Sequence, residues 1–148
     1  MDTPPTTVAI GCDHAGFPLK SALVAVLEEL GQTALDLGTD GPGRVDYPDF
    51  AHAVCRAVGQ GRARFGVLIC GSGVGMSIAA NRHAGIRCVL AGEATTARLA
   101  RAHNDANVLA LGARLIGEEM ARDILQTFLA ARYEGGRHDQ RLAKLQPA

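Results

Sequence analysis

The sequence predicts a doubly wound α/β domain, with one five-stranded parallel sheet and helices on both faces. Two observations carry that prediction. Short apolar runs alternate five times with segments of helical period, and no internal repeat or interior linker interrupts them. The 148 residues are also enough for one domain, 1–148, with a sizeable core, and the composition suits close-packed layers: no Trp, few aromatics, much Ala, Val, Leu and Gly.

Each element follows from its residues. Met1 to Thr6 has neither the basic start nor the apolar core of a signal peptide and reads as a disordered lead-in. Val8–Cys12 is an apolar strand. After Asp13-His14-Ala15-Gly16, a helix over about 18–30 shows Leu19, Leu23, Val26, Leu27 and Leu30 at helical spacing, and Gly31 stops it. Residues 33–37 form a short second strand. The stretch from Gly38 to Pro48, rich in Gly, Pro and Asp, reads as a loop, with Asp49 as the cap of a helix to about Val58. Phe65–Cys70 is the third strand, followed by a glycine turn and a helix over about 75–82. Ile86–Leu90 is the fourth strand, with a helix over about 93–102 after it. Val108–Gly112 is the fifth strand, and a long helix over 117–133 closes the domain. Gly135-Gly136 then breaks into a basic tail, 135–148.

Composition excludes several roles. Fifteen basic residues balance fifteen acidic ones, so no global field recruits nucleic acid or an anionic membrane. No apolar run approaches the ~20 residues that span a bilayer. Cys12, Cys55, Cys70 and Cys88 form no CxxC pair and no zinc-like spacing, which fits reduced thiols in a cytoplasm.

In a sheet of this Rossmann-like type, ligands bind beyond the carboxyl ends of the strands. That rule selects Asp13, His14 and the turn Cys70-Gly71-Ser72-Gly73-Val74-Gly75. Glycines there let backbone N–H groups approach a ligand, and a following helix N-terminus favours negative charge. A dinucleotide fingerprint needs a third glycine where Met76 stands, and no Walker lysine follows, so a simple anion-binding turn remains. Taken alone, Asp13-His14 is equally a helix cap, His103 with Asn104 a helix end, and Tyr47 a loop anchor. Arg137 and Arg141, at i and i+4, suit a phosphate or are simply solvated.

Together these pieces resemble one family. The segments Gly11–Gly16, Asp46-Tyr47-Pro48, Cys70–Gly75, Ile78–Asn81, Ala84–Arg87, His103–Leu109 and Glu134–His138 are similar, in order and spacing over about 7–145, to ribose-5-phosphate isomerase type B. The resemblance implies aldose–ketose isomerisation of ribose 5-phosphate and ribulose 5-phosphate through an enediolate, without metal or organic cofactor. It implies that Cys70 is the base, since members that use a glutamate instead carry it where Met76 stands here, and that Ser72 replaces the family's threonine. It further implies that the amides of Gly71, Ser72, Gly73, Val74 and Gly75 hold the enediolate, and that His103 opens the sugar ring beside Asn104. Asp13, His14 and Tyr47 then contact substrate, and Arg137 and Arg141, helped by His138, clamp the phosphate. Family members are homodimers or homotetramers with His103 and Asn104 reaching the pocket from a partner, and Arg114 is expected to touch the phosphate across that interface. Allose or galactose 6-phosphate, or a four-carbon tetrulose phosphate, are the alternative substrates within the superfamily. A non-catalytic phosphosugar-binding protein is the remote alternative.

Overall fold

The computed structural model describes residues 5–147, and its elements follow the expected alternation. Strand β1 (Thr7–Cys12) leads to helix α1 (Phe17–Glu29), β2 (Thr33–Asp36) to α2 (Tyr47–Gly59), and β3 (Phe65–Cys70) to α3 (Val74–Ala80). Strand β4 (Cys88–Leu90) precedes α4 (Ala94–Asn104), and β5 (Val108–Gly112) precedes α5 (Glu118–Ala130). A 3₁₀ turn (Gly136–His138) and a single helical turn, α6 (Asp139–Leu142), close the chain.

The sheet is all parallel in the order β2-β1-β3-β5-β4. From β1 the chain moves outward to β2 and then crosses back to β3, so the strand order reverses between β1 and β3. A crevice opens at such a reversal beyond the carboxyl ends of the strands. Cys12 pairs with Ile69 there, which places Asp13 and Cys70 side by side at its rim.

Side chains alternate across each strand and divide the core in two. Val67 and Ile69 of β3 join Leu23 and Leu27 of α1 with Ile124, Leu125 and Phe128 of α5 on one face. Leu68 and Cys70 join Val54 and Cys55 of α2 with Met76 and Ala80 of α3 on the other. Each fully buried Leu, Ile or Phe contributes about 1.5–3 kcal/mol relative to an exposed one. No helix of the described residues is long and apolar enough to cross a membrane.

Among the buried charges, Lys20 is the least exposed. Lys20 of α1 is 2 % exposed, and its Nζ donates to Asp36 Oδ1 at 2.6 Å and to the Thr39 carbonyl at 2.7 Å. Asp36 Oδ1 also accepts from the Gly38 N–H at 3.0 Å, so the pair ties α1 to the start of the long loop. Asp36→Ala would leave a buried ammonium with one carbonyl. The expected loss is about 2–3 kcal/mol in urea unfolding, below the full value for a buried pair because Asp36 is partly solvated. A loss under about 0.5 kcal/mol would mean that the pair is a surface contact in effect.

The structure corrects three boundaries. Helix α2 begins at Tyr47 with Asp46, not Asp49, as its N-cap, and Asp49 lies in the first turn. Pro48 is tolerated there because a first-turn N–H has no intrahelical partner to lose. Strand β4 begins at Cys88 rather than Ile86, because the Arg87 N–H goes to the Asn107 side chain at 2.8 Å. The tail is folded from Gly136 to Leu142, after a reversal in which Gly135 and Gly136 both have positive φ. Of the expected lead-in, residues 1–4 lie outside the described residues, while the Thr6 N–H donates to Gln32 Oε1 at 2.9 Å.

Candidate active site

Strand β3 ends on Cys70, and the chain turns through Gly71-Ser72-Gly73 into α3. Gly73 adopts φ +79°, and a Cβ there would lie 2.6 Å from Leu90 Cδ1 and 2.9 Å from the Leu111 carbonyl carbon. Only glycine satisfies both demands. The turn brings the Gly73 N–H to 3.2 Å from Cys70 Sγ, and the Val74 N–H to 3.2 Å from Ser72 Oγ. Those two amides are thus spent on the turn's own side chains. Gly73→Ala is expected to cost about 1–2 kcal/mol from the left-handed backbone alone, more with the clash, and to disturb Cys70. Wild-type stability and activity in that variant, measured by urea unfolding and turnover, would contradict this geometry.

Around the turn lies an open pocket of about 530 Å³ lined by Asp13, Tyr47, Cys70, Gly71, Ser72, Val74, Gly75, Ile78, Arg114 and Leu115. Asp13 is buried, and its Oδ1 accepts from the N–H groups of Ala15 and Gly16 at 3.0 and 3.2 Å, so it braces the start of α1 while facing the pocket. The Tyr47 ring lies directly over Gly75, where a Cβ would come within 2.4 Å of Cζ. Arg114 follows β5 and folds back over Gly71, and its N–H donates to the Gly71 carbonyl at 3.0 Å. Its guanidinium stands beside Gly71 of its own chain and lines the same pocket as Cys70. His14 is outside the lining, and its Nδ1 accepts from the Val45 N–H at 3.3 Å, holding the loop that leads to Tyr47.

Ile78 and Leu115 are pocket residues that sequence reading missed. They are 53 % and 72 % exposed, although apolar. Ile78 lies within the segment Ile78–Asn81, whose spacing does not tell which face of α3 is exposed. Met76 at the other end of that turn is fully buried in the core and offers no acid or base. Burial pushes Cys12 and Cys55 up to about 11 and Cys88 up to about 12, which keeps them neutral thiols, while Cys70 alone of the four lines this pocket.

The remaining expected residues gather elsewhere. In a parallel sheet the crossover helices run back toward the strand starts. Helix α4 therefore delivers His103 and Asn104 to the edge where β5 begins, whereas Cys70 pairs with Gly112 at the end of β5. The length of β5 puts roughly 15 Å between those edges. The end of α4 is built firmly: Asp105 caps it at φ 48°, holding Arg101 Nη1 at 2.9 Å and Arg87 Nη2 at 3.4 Å. Helix α5 ends at the same edge, and the Glu134 N–H donates to the Ala102 carbonyl at 2.9 Å. The folded tail then stacks the His138 ring on His103, with centroids 4.6 Å apart. Arg137 and Arg141 are exposed, and no ion pair among the described residues engages either.

So the expected residues form two groups at opposite ends of the strands. One holds a thiol, backbone donors and Arg114; the other holds two histidines, an amide and two free guanidiniums. A larger cavity of about 670 Å³, which includes Asn104 with Leu90, Leu142 and Leu145, holds none of the histidines or tail arginines.

Known proteins match the chain closely in sequence and fold. Residues 8–145 match the family model described as Ribose/Galactose Isomerase. Ribose-5-phosphate isomerase B of Escherichia coli is 53 % identical over 135 residues, covering 91 % of each chain. D-erythrulose-4-phosphate isomerase of Pectobacterium atrosepticum is 39 % identical over 140 residues, covering 94 % of this chain and 92 % of its own. The solved ribose-5-phosphate isomerase B of Clostridium thermocellum superposes with a TM-score of 0.93 at 45 % identity, covering 94 % of each chain.

Proposed function

The chain belongs to the ribose/galactose isomerase family, and from that premise we propose that it interconverts ribose 5-phosphate and ribulose 5-phosphate. The observation that carries the proposal is Cys70 in a pocket with backbone donors and Arg114, on a chain 53 % identical to ribose-5-phosphate isomerase B of Escherichia coli. In this reading the Cys70 thiolate removes the C2 proton of the open-chain aldose and returns it at C1. Such a general base contributes about 10²–10⁴-fold. Negative charge on the enediolate oxygens is met by the N–H groups of Gly71, Ser72 and Gly75, which the turn does not spend on its own side chains, and each such donor is worth about 3–4 kcal/mol. His103 moves the proton that opens and closes the furanose, and Asn104 and His14 hold hydroxyls. Arg137 and Arg141, with His138, bind the phosphate.

A homodimer is the smallest assembly that satisfies this reading. Cys70 and His103 stand at opposite edges of one sheet, so a shared site takes the Cys70 half from one chain and the His103 half from another. The apolar rim of Val74, Ile78 and Leu115 is where a second copy would close the pocket. We take residues 1–148 as one isomerase domain acting in a reducing cytoplasm, in keeping with four unbridged cysteines.

The second substrate reading comes from the erythrulose phosphate relative. A kinetic panel of erythrulose 4-phosphate, ribose 5-phosphate, allose 6-phosphate and galactose 6-phosphate decides between them. The proposal expects the highest kcat/KM on ribose 5-phosphate. A four- or six-carbon phosphate preferred by about tenfold or more, 1.4 kcal/mol in the transition state, would replace it.

A further inference from the structure

The edge that carries His103 holds a second kind of chemistry. His103, Glu134 and His138 each offer one ligand atom, and these atoms all lie within 4.8 Å of one another. Glu134 Oε1 is 3.8 Å from His103 Nε2 and 3.6 Å from His138 Nε2. Both separations are too long for a hydrogen bond. They are close to the ~3.3–3.5 Å that separates two ligands held tetrahedrally at about 2.0–2.1 Å from one zinc ion. His138 adds an independent observation. It is 6 % exposed, and its Nε2 is buried with no hydrogen-bond partner while facing Glu134. A buried polar atom in that state calls for a partner. The His103 and His138 rings are stacked at 20°, so His103 must turn on its side chain to aim its lone pair at the same point. It is partly exposed at the end of α4, where that rotation has room.

We propose that His103, Glu134 and His138 form a binding site for a single divalent transition-metal ion, Zn²⁺ or its analogues Co²⁺ and Ni²⁺. Two imidazoles and a carboxylate are the donors such ions choose, with water completing the shell, whereas Mg²⁺ and Ca²⁺ prefer oxygen alone. Filling the site occupies the imidazole that the proposed reaction uses for ring opening. The ion is thus a reversible inhibitor; this consequence, unlike the binding itself, rests on the isomerase reading.

The test is calorimetric titration of the intact protein with Zn²⁺, and with Co²⁺ followed by its visible absorption. One ion per chain is expected, weakened at least about tenfold in Glu134→Ala and His138→Asn, because each removes a direct ligand. Glu134→Gln, which keeps the side-chain shape, should weaken binding too. His52 Nδ1 and His83 Nε2, 2.6 Å apart, are the other close histidine pair, and His83→Asn should leave affinity unchanged. Mg²⁺ should give no heat. Unchanged affinity in the folded Glu134→Gln and Glu134→Ala variants, or loss of binding in His83→Asn, would overturn the site. Zn²⁺ should also inhibit isomerisation of ribose 5-phosphate, reversibly with a chelator. Tight binding with full activity would keep the metal site and remove His103 from the reaction.

Discussion

Cys70→Ala is expected to lower kcat by about 10²–10⁴ while leaving KM and the fold nearly unchanged, because in the proposed reaction it removes the base and little else. The alternatives within the same pocket are weak. Met76 is buried in the core, and Asp13 Oδ1 already accepts from Ala15 and Gly16 N–H groups. The small side chain lost from the end of β3 should cost no more than about 1 kcal/mol of stability. Steady-state kinetics with ribose 5-phosphate, alongside urea unfolding, separate the two effects. Turnover near wild type in a folded variant would remove Cys70 from the mechanism.

Replacing Arg137 or Arg141 by Ala should chiefly raise KM, since the phosphate is bound in both ground and transition states. A lost charge-assisted hydrogen bond costs about 1.5–3 kcal/mol, or roughly 10- to 150-fold. Both guanidiniums are exposed and unengaged by any acid among the described residues, so neither substitution should unfold the tail. Lysine should rescue only in part, because it offers a point charge in place of a planar fork. Some fall in kcat is expected as well, because remote binding energy positions the reacting carbons. An unchanged KM in both variants would move the phosphate to Arg114, which already stands beside the Cys70 turn.

Much of the fold could be read from the sequence because its central strands are buried on both faces. Val67-Leu68-Ile69-Cys70 and Val108-Leu109-Ala110-Leu111 are continuous apolar runs for that reason. Boundaries failed where a side chain captured a backbone group, as Asn107 does with the Arg87 N–H, or where Pro48 served as a first-turn residue rather than a breaker. The turn after β3 was equally legible, since a strand end, a glycine turn and a helix start are all local. Its distance from His103 was not. Nothing in the spacing of Cys70 and His103 says that one ends a strand and the other a returning helix, so that they emerge at opposite edges. The place of Arg114 over Gly71 was not legible for the same reason, because it depends on β5 lying beside β3. The convergence of Glu134 on two histidines likewise depends on the reversal at Gly135-Gly136.

The central claim, an isomerase site made from Cys70 of one chain and His103 of another, is tested by mixing two inactive variants. Cys70→Ala and His103→Ala are combined under conditions where subunit exchange is shown by a mass or fluorescence label. In a two-fold dimer each mixed pair holds one site with both residues intact, so random exchange should restore about a quarter of wild-type activity on ribose 5-phosphate. No recovery despite demonstrated exchange would contradict the shared site.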